Sequence, residues 1–300
     1  MPTHPTPQPP AAPASFASKK ATRARMDANL TFLGSGTSMG VPTLGCSCAV
    51  CVSAVSPGPG LPIPQPHNRR TRPSIRLAYN GHIVLIDTGP DFHAQAIRER
   101  ISHVDAVLYT HSHADHILGF DDLRPLSFHV PNGLPLYADD ATANAIERVF
   151  DYTFRTQDRY PTSARVTMHR IPTTPGAPVG LCGDLFGARF LRIPVIHGRH
   201  QITGYRFGNA AYLTDMSDIP PESIPLLQDL DILILDALRH DPHPSHSHLQ
   251  KSISYVEKLA PKRAYFTHIG HDLDHNATEA ILPPNIHLAY DGLQLTFEIA

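Results

Sequence analysis

The six residues His111 to His116, "HSHADH", place three histidines and an aspartate at one address, with serine and alanine in the gaps. They follow the apolar run "VDAVLYT", so a buried strand delivers the chain to them. In extended backbone, side chains two residues apart point the same way, so His111 and His113 can reach one ion. Asp115 and His116 fall where the chain turns into a helix and can face a second point nearby. A single metal would use a subset of the four, whereas a pair of metals ~3.5–4 Å apart would use them all. Further polar residues end apolar runs: His197 in "RIPVIH", Asp215 in "AAYLTD" and His268 in "AYFTHIG". Loops at one sheet edge would gather them. One strand-terminal histidine says little by itself, but this series with HSHADH specifies a metal site.

A second cluster lies upstream. "GCSCAVC" holds Cys46, Cys48 and Cys51 in a segment so short that internal disulfides would be strained. Metal binding in a reducing compartment fits better, and the fourth cysteine, Cys182, stands alone without a role.

The elements that must position these residues are legible as patterns. "NLTFLGSG" is a short strand ending in a glycine loop, and "SIRLAY-NG-HIVLIDTG" is a hairpin turned at Asn80-Gly81. "FHAQAIRER", "ATANAIERVF" and "HLQKSISYVEKLA" are helices. "GARFLRIPVIH", the pair "TGYRFG-NA-AYLTD", "DLDILILDA" and "KRAYFTHIG" are strands, and "IHLAY-DG-LQLTFEI" is expected as a closing hairpin. Strand groups alternate with helices, which predicts an α+β fold of two sheets with helices on their outer faces, an αββα four-layer sandwich.

The 300 residues, 41% of them hydrophobic, suffice for one large domain, and a formal net charge of −2 offers no basic field for nucleic acid or anionic membrane. No apolar run reaches the ~18 residues that span a bilayer. The first 28 residues, with six prolines in the first thirteen, read as a disordered tail without the apolar segment of a secretory signal. The domain is expected over residues 29–300, with a Cys-rich loop near residues 45–73. Met26 is an alternative start, and a cytoplasmic location is the default.

HxHxDH followed by a lone His, a lone Asp and a lone His resembles the metallo-β-lactamase-fold hydrolases, whose αββα sandwich matches the element order above. The resemblance implies one ion on His111, His113 and His197, a second on Asp115, His116 and His268, and Asp215 bridging. His200 competes with His197 for its place, and Asp87 in "LIDTG" would orient a ligand. The C-x-C-x-x-C string, together with His271 in "THIGH", resembles the cyclic phosphodiesterase family of bacterial phosphonate degradation. That resemblance implies a structural zinc on Cys46, Cys48, Cys51 and His271, closed to substrate, and a general acid at His246 in "DALRHDPHPSHSHLQ". Catalytic roles then fall to His246 and Asp115. Here "SHSHL" puts His248 where the family carries an acidic residue.

The function implied is hydrolysis of a small phosphodiester, with a cyclic ribose phosphate as the form the resemblance points to, by two zinc or manganese ions; dimers are common in such folds. tRNA 3′-end processing, the RNase Z branch of the same fold, is the alternative enzyme, and a non-catalytic metal-binding protein the alternative from another class. Arg69, Arg70 and Arg72 in "HNRRTRPS" are candidates for gripping a second phosphate, or else a solvated basic face. The glycine-rich "GSGTSMG" is not a phosphate loop, since no Gly-Lys-Ser/Thr follows.

Overall fold

The computed structural model of the chain describes residues 25–55 and 65–299. Residues 1–24 of the expected tail and 56–64 of the proline-rich loop lie outside the described residues. In chain order the strands are β1 (Met26–Gly34), β2 (Ser74–Tyr79), β3 (His82–Ile86), β4 (Ala106–Leu108), β5 (Leu134–Ala138), β6 (Val166–Arg170) and β7 (Pro178–Leu185). There follow β8 (Ala188–His197), β9 (His200–Phe207), β10 (Ala210–Leu213), β11 (Ile232–Asp236), β12 (Arg263–Thr267), β13 (Ile286–Leu288) and β14 (Gln294–Ile299). They form two seven-stranded sheets, ordered β14-β1-β2-β3-β4-β5-β6 and β13-β12-β11-β10-β9-β8-β7.

Alternation along the strands explains the layers. In β11, Ile232 and Ile234 face the opposite sheet and pack in one cluster with Leu30, Leu77, Phe190 and Tyr212. Leu233 and Leu235, one step out of phase, pack with Val256 and Leu259 of the helix Leu249–Leu259. On the other sheet Leu85 and Val107 turn outward onto Phe92, Phe120 and Ile146 of the covering helical segments. A strand covered on both faces reads as an unbroken apolar run, which is why "ILIL" and "AVLY" carry no polar residue. The four layers of the expected sandwich are all present.

Asn80 and Gly81, both at positive φ (49° and 76°), turn the β2–β3 hairpin, with Tyr79 opposite His82. The pair matches the mirror-image turn that strand twist favours.

Three expectations needed correction. The closing hairpin does not form: β13 pairs with β12 in one sheet and β14 with β1 in the other. Half-buried Asp291 holds the crossover, accepting from the Ser35 N–H at 2.9 Å and the Thr71 N–H at 2.9 Å, so the Asp-Gly turn joins sheets rather than strands of one sheet. Strands β5, β6 and β7 had no counterpart in the sequence reading, because prolines at 135 and 178 and the polar "VTMHR" blur their alternation. Strand β1 also begins three residues before the run read as a strand, at Met26.

Candidate metal centre and active site

The polar residues gather where strands end. Asp87 follows β3, Thr110 and His111 lie just past β4, His197 closes β8, and Asp215 lies just past β10. Asp236 closes β11, and His268 follows β12. The β3–β4 and β10–β11–β12 pairings are parallel, so their carboxyl ends share one edge, the place where open sheets of this kind bind ligands. Tyr205 Oη donates to the Tyr109 carbonyl at 2.6 Å and Thr203 N to Thr110 O at 3.0 Å, tying the sheets together beside the site. Three of the residues turn sharply out of their strands: Asp87, Asp215 and His268 have φ of 65°, 57° and 56°. Left-handed backbone at non-glycine residues is costly and clusters where function demands a side chain in one place. Gly89 is required for the same crowding, since a Cβ there would lie 2.1 Å from the Asp115 carbonyl oxygen.

Two donor sets result. One atom each of His111, His113 and His197 lie within 4.8 Å of one another, as do atoms of Asp115, His116, Asp215 and His268. His197, not the exposed His200, belongs to the first set. His197 Nδ1 faces the Ser245 carbonyl at 2.8 Å, leaving Nε2 free to turn inward. His116 Nε2 lies 3.1 Å from Asp215 Oδ2, and His268 Nε2 lies 3.0 Å from Asp215 Oδ1. Neither contact has hydrogen-bond alignment: the buried Nε2 atoms of His111, His116 and His268 and Oδ2 of Asp115 have no hydrogen-bond partner. Donors that converge closely without bonding one another aim at a shared point, and buried polar atoms are rarely left so without cause. This donor set fits divalent cations of the zinc or manganese kind.

Asp87, fully buried, lies under the site. It accepts from the Thr110 N–H at 2.8 Å and the Thr110 hydroxyl at 2.8 Å, and lies 2.8 Å from His116 Nδ1. Contacts of this type hold a ligand imidazole in one tautomer and orientation.

Without cations the charges balance among the side chains. Burial opposes ionisation of Asp215, but His268 and His116 outweigh it and hold the carboxyl well below the usual range. Burial likewise opposes a charge on His268, yet Asp215 and Asp115 push it up to about 10, and Asp215 and Asp115 raise His116 well above its ordinary value. Near neutral pH the two imidazoles therefore carry protons that ligation must displace. Ligation at these two imidazoles is expected to release about two protons, in addition to those displaced from the thiols of the cysteine cluster, and affinity to rise with pH. Titration calorimetry in buffers of different ionisation enthalpy measures this, and zero release would show these imidazoles neutral in the free chain.

The cysteine cluster assembles separately. His271 Nδ1 lies 3.2 Å from Cys46 Sγ, 3.5 Å from Cys48 Sγ and 3.4 Å from Cys51 Sγ. A tetrahedral zinc with normal bond lengths separates its sulfur and nitrogen ligands by about 3.5 Å. Backbone N–H groups of Thr43, Cys48 and Cys51 point at the sulfurs, at 3.3 to 3.5 Å. Partial desolvation works against the Cys48 thiolate, but the Cys51 N–H and neighbouring thiols bring it down to about 7.

His246 stands beside the first two sets, stacked on His268 (centroids 4.6 Å apart) and edge-on to His197 (4.7 Å). Its Nδ1 lies 2.8 Å from Asp236 Oδ2, a fully buried carboxyl. Burial pushes Asp236 well above the carboxylate range and His246 down to about 4, so the pair shares one proton rather than separating into ions. Of the other loop histidines, His243 approaches His246 at 5.2 Å, His240 is exposed, and His248 precedes the helix Leu249–Leu259 as its N-terminal flank. The sequence reading missed Asp236. Its signal was the one used for Asp215, a carboxylate ending an apolar strand ("DILILD"). Arg70 is no phosphate grip: it is 1% exposed and spent on backbone carbonyls, while Arg72 pairs with Asp91 at 3.3 Å.

The family described as Beta-lactamase superfamily domain matches residues 82–269. Among solved structures, the chain is similar to one described as a new diphosphatase from the PhnP family, with 52% identity and a TM-score of 0.80 over 92% of this chain and 99% of that one. Among curated proteins it is 36% identical over 266 residues to the octanoyltransferase of Porphyromonas gingivalis, covering 87% of this chain and 50% of that protein. A shorter match, 32% identical over 108 residues, joins 35% of this chain to 34% of a ribonuclease Z of Methanococcus maripaludis. The chain thus spans about half the length of the first curated relative and about a third of the second.

Proposed function

The chain belongs to the beta-lactamase superfamily and, within it, to the PhnP family, and from that premise we propose that it is a metal-dependent hydrolase of small phosphodiesters. His111, His113 and His197 would hold one divalent ion, and Asp115, His116 and His268 a second, with Asp215 between them. Cys46, Cys48, Cys51 and His271 would hold a structural zinc. Divalent ions in the first two places would acidify a water and neutralise phosphate oxygens.

The observation that carries the proposal is the His246–Asp236 pair set against both donor sets. Water adds to phosphorus, one P–O bond breaks, and the departing oxygen needs a proton. His246 supplies it from Nε2 while Asp236 holds, and can replenish, the proton at Nδ1. Asp115 Oδ2 lies 3.3 Å from His116 Nε2 and 3.6 Å from His268 Nε2 and would join them as a ligand of the second ion. The octanoyltransferase name belongs to a protein of which half lies outside the match.

The substrate class is a cyclic ribose phosphate or a diester of diphosphate, the latter because the 52% identical relative is described as a diphosphatase. Purified protein loaded separately with zinc and manganese should hydrolyse at least one of these, with an aryl phosphodiester as control. Cleavage of the aryl ester alone would leave the natural substrate open, and no cleavage by metal-loaded protein would overturn the proposal. Ribonuclease Z chemistry is the second reading, supported by the 108-residue match. It predicts cleavage of precursor tRNA with steeply salt-dependent binding, against which the net charge of −2 counts.

A further inference from the structure

Arg70 and Arg192 head the fully buried side chains by size among the described residues, and the hydrogen-bond partners of Arg70 there include no carboxylate. Its Nη1 donates to the Gly270 carbonyl at 2.8 Å, and its Nη2 to the Leu273 carbonyl at 2.8 Å and to Asn68 Oδ1 at 3.3 Å. Burying a guanidinium that has no carboxylate partner is costly. Stability alone therefore gives a weak reason for its presence. Its position gives a stronger one.

The two carbonyls flank His271, the histidine of the cysteine cluster, and the nearer lies two residues beyond His268 of the other site. The same turn is gripped from both sides. Ile269 N donates to Ser35 O at 2.9 Å and Thr37 N to Ile269 O at 3.2 Å, so the glycine-rich loop runs alongside it. Gly36 must lack a side chain because a Cβ there would lie 2.8 Å from Arg70 Cβ. On the far side, buried Asn68 donates to Asp274 Oδ2 at 2.8 Å and to Ser53 Oγ at 2.9 Å. Ser53 ends the short helix Ala49–Ser53 that carries Cys51. Arg70 itself exchanges backbone hydrogen bonds with Val41, at 2.9 Å each way, at the entry to the cysteine loop.

We infer that Arg70 is a positioning residue that couples the Cys46–Cys48–Cys51–His271 metal site to the His268 end of the catalytic metal site. The inference rests on the proposal that both clusters hold metal. Filling the cysteine site fixes His271. Arg70 transmits that fixed position through the Gly270 and Leu273 carbonyls to the turn that carries His268. By reciprocity, each site then tightens metal binding at the other.

Cobalt-substituted full-length protein tests this, because thiolate-bound cobalt and cobalt bound by histidine and carboxylate have distinct absorption bands. In Arg70→Gln the thiolate band is expected to persist while affinity at the histidine–carboxylate site falls about 10–100-fold. Turnover should fall in kcat with little change in KM, and Arg70→Lys should recover part of both. Undiminished affinity at the histidine–carboxylate site in Arg70→Gln would overturn the coupling. Should Arg70→Gln fail to fold, Cys48→Ser provides the second arm. Coupled sites predict the same fall in affinity at the histidine–carboxylate site, and independent sites predict none. A wild-type protein without a thiolate band would instead remove the metal assignment of the cysteine cluster itself.

Discussion

Asp215→Ala is expected to lower turnover by about 10⁴-fold or more, to the level of the assay background. The carboxylate is 2% exposed and faces three imidazoles, with His268 at 3.0 Å, His116 at 3.1 Å and His111 at 3.9 Å. Alanine leaves those nitrogens converging on a space with one fewer negative charge, so cation affinity falls in both donor sets. Burial makes the loss severe, because water cannot substitute for the missing charge. The backbone adds a second cost: Asp215 holds φ at 57°, which aspartate tolerates better than alanine. Asp215→Asn separates these effects, keeping shape and backbone preference while removing the charge. Metal content by plasma mass spectrometry, read beside turnover, checks the result. A variant with full metal content and turnover within tenfold of wild type would dismiss Asp215 as the shared carboxylate.

His246→Ala is expected to keep its metals and lose about 10²–10⁴ in kcat on substrates with poor leaving groups. Its Nδ1 is taken up by Asp236, so the imidazole offers only Nε2 to the substrate, the atom a proton donor would use. An aryl ester with an acidic leaving group needs little help from an acid and should lose far less. That difference between substrates distinguishes proton donation from damage to metal binding, which would affect both alike. Asp236→Asn is expected to fall between wild type and His246→Ala. Equal losses on good and poor leaving groups would remove His246 as the acid.

Much of the site was legible because its residues follow apolar strands. HSHADH, His197, Asp215 and His268 each stand out where an unbroken hydrophobic run stops. Asp236 carried the same mark and was passed over, since "DALR" leads into a loop already crowded with histidines. The buried state of Arg70 was illegible in principle. "NRRTRPS" reads as a solvated basic run, and nothing local shows that the middle arginine faces inward. Side-chain direction there depends on a backbone pairing with Val41, 29 positions earlier in the numbering.

The sequence by itself determined the kind of fold, the identity of the candidate ligands and the class of chemistry they suit. Those are consequences of residue type and short-range periodicity. Only the tertiary structure shows which candidate donors lie within reach of one another, because donors from opposite sheets meet only after the sheets pack. It sets His197 among the candidate donors and His200 apart from them, since one closes its strand at the shared edge and the other opens the next strand in solvent. It also turned the final Asp-Gly from a hairpin into a bridge between sheets. A turn signal specifies local bending, whereas the partners of the two strands are chosen by distant hydrogen bonds and by the core that each strand completes.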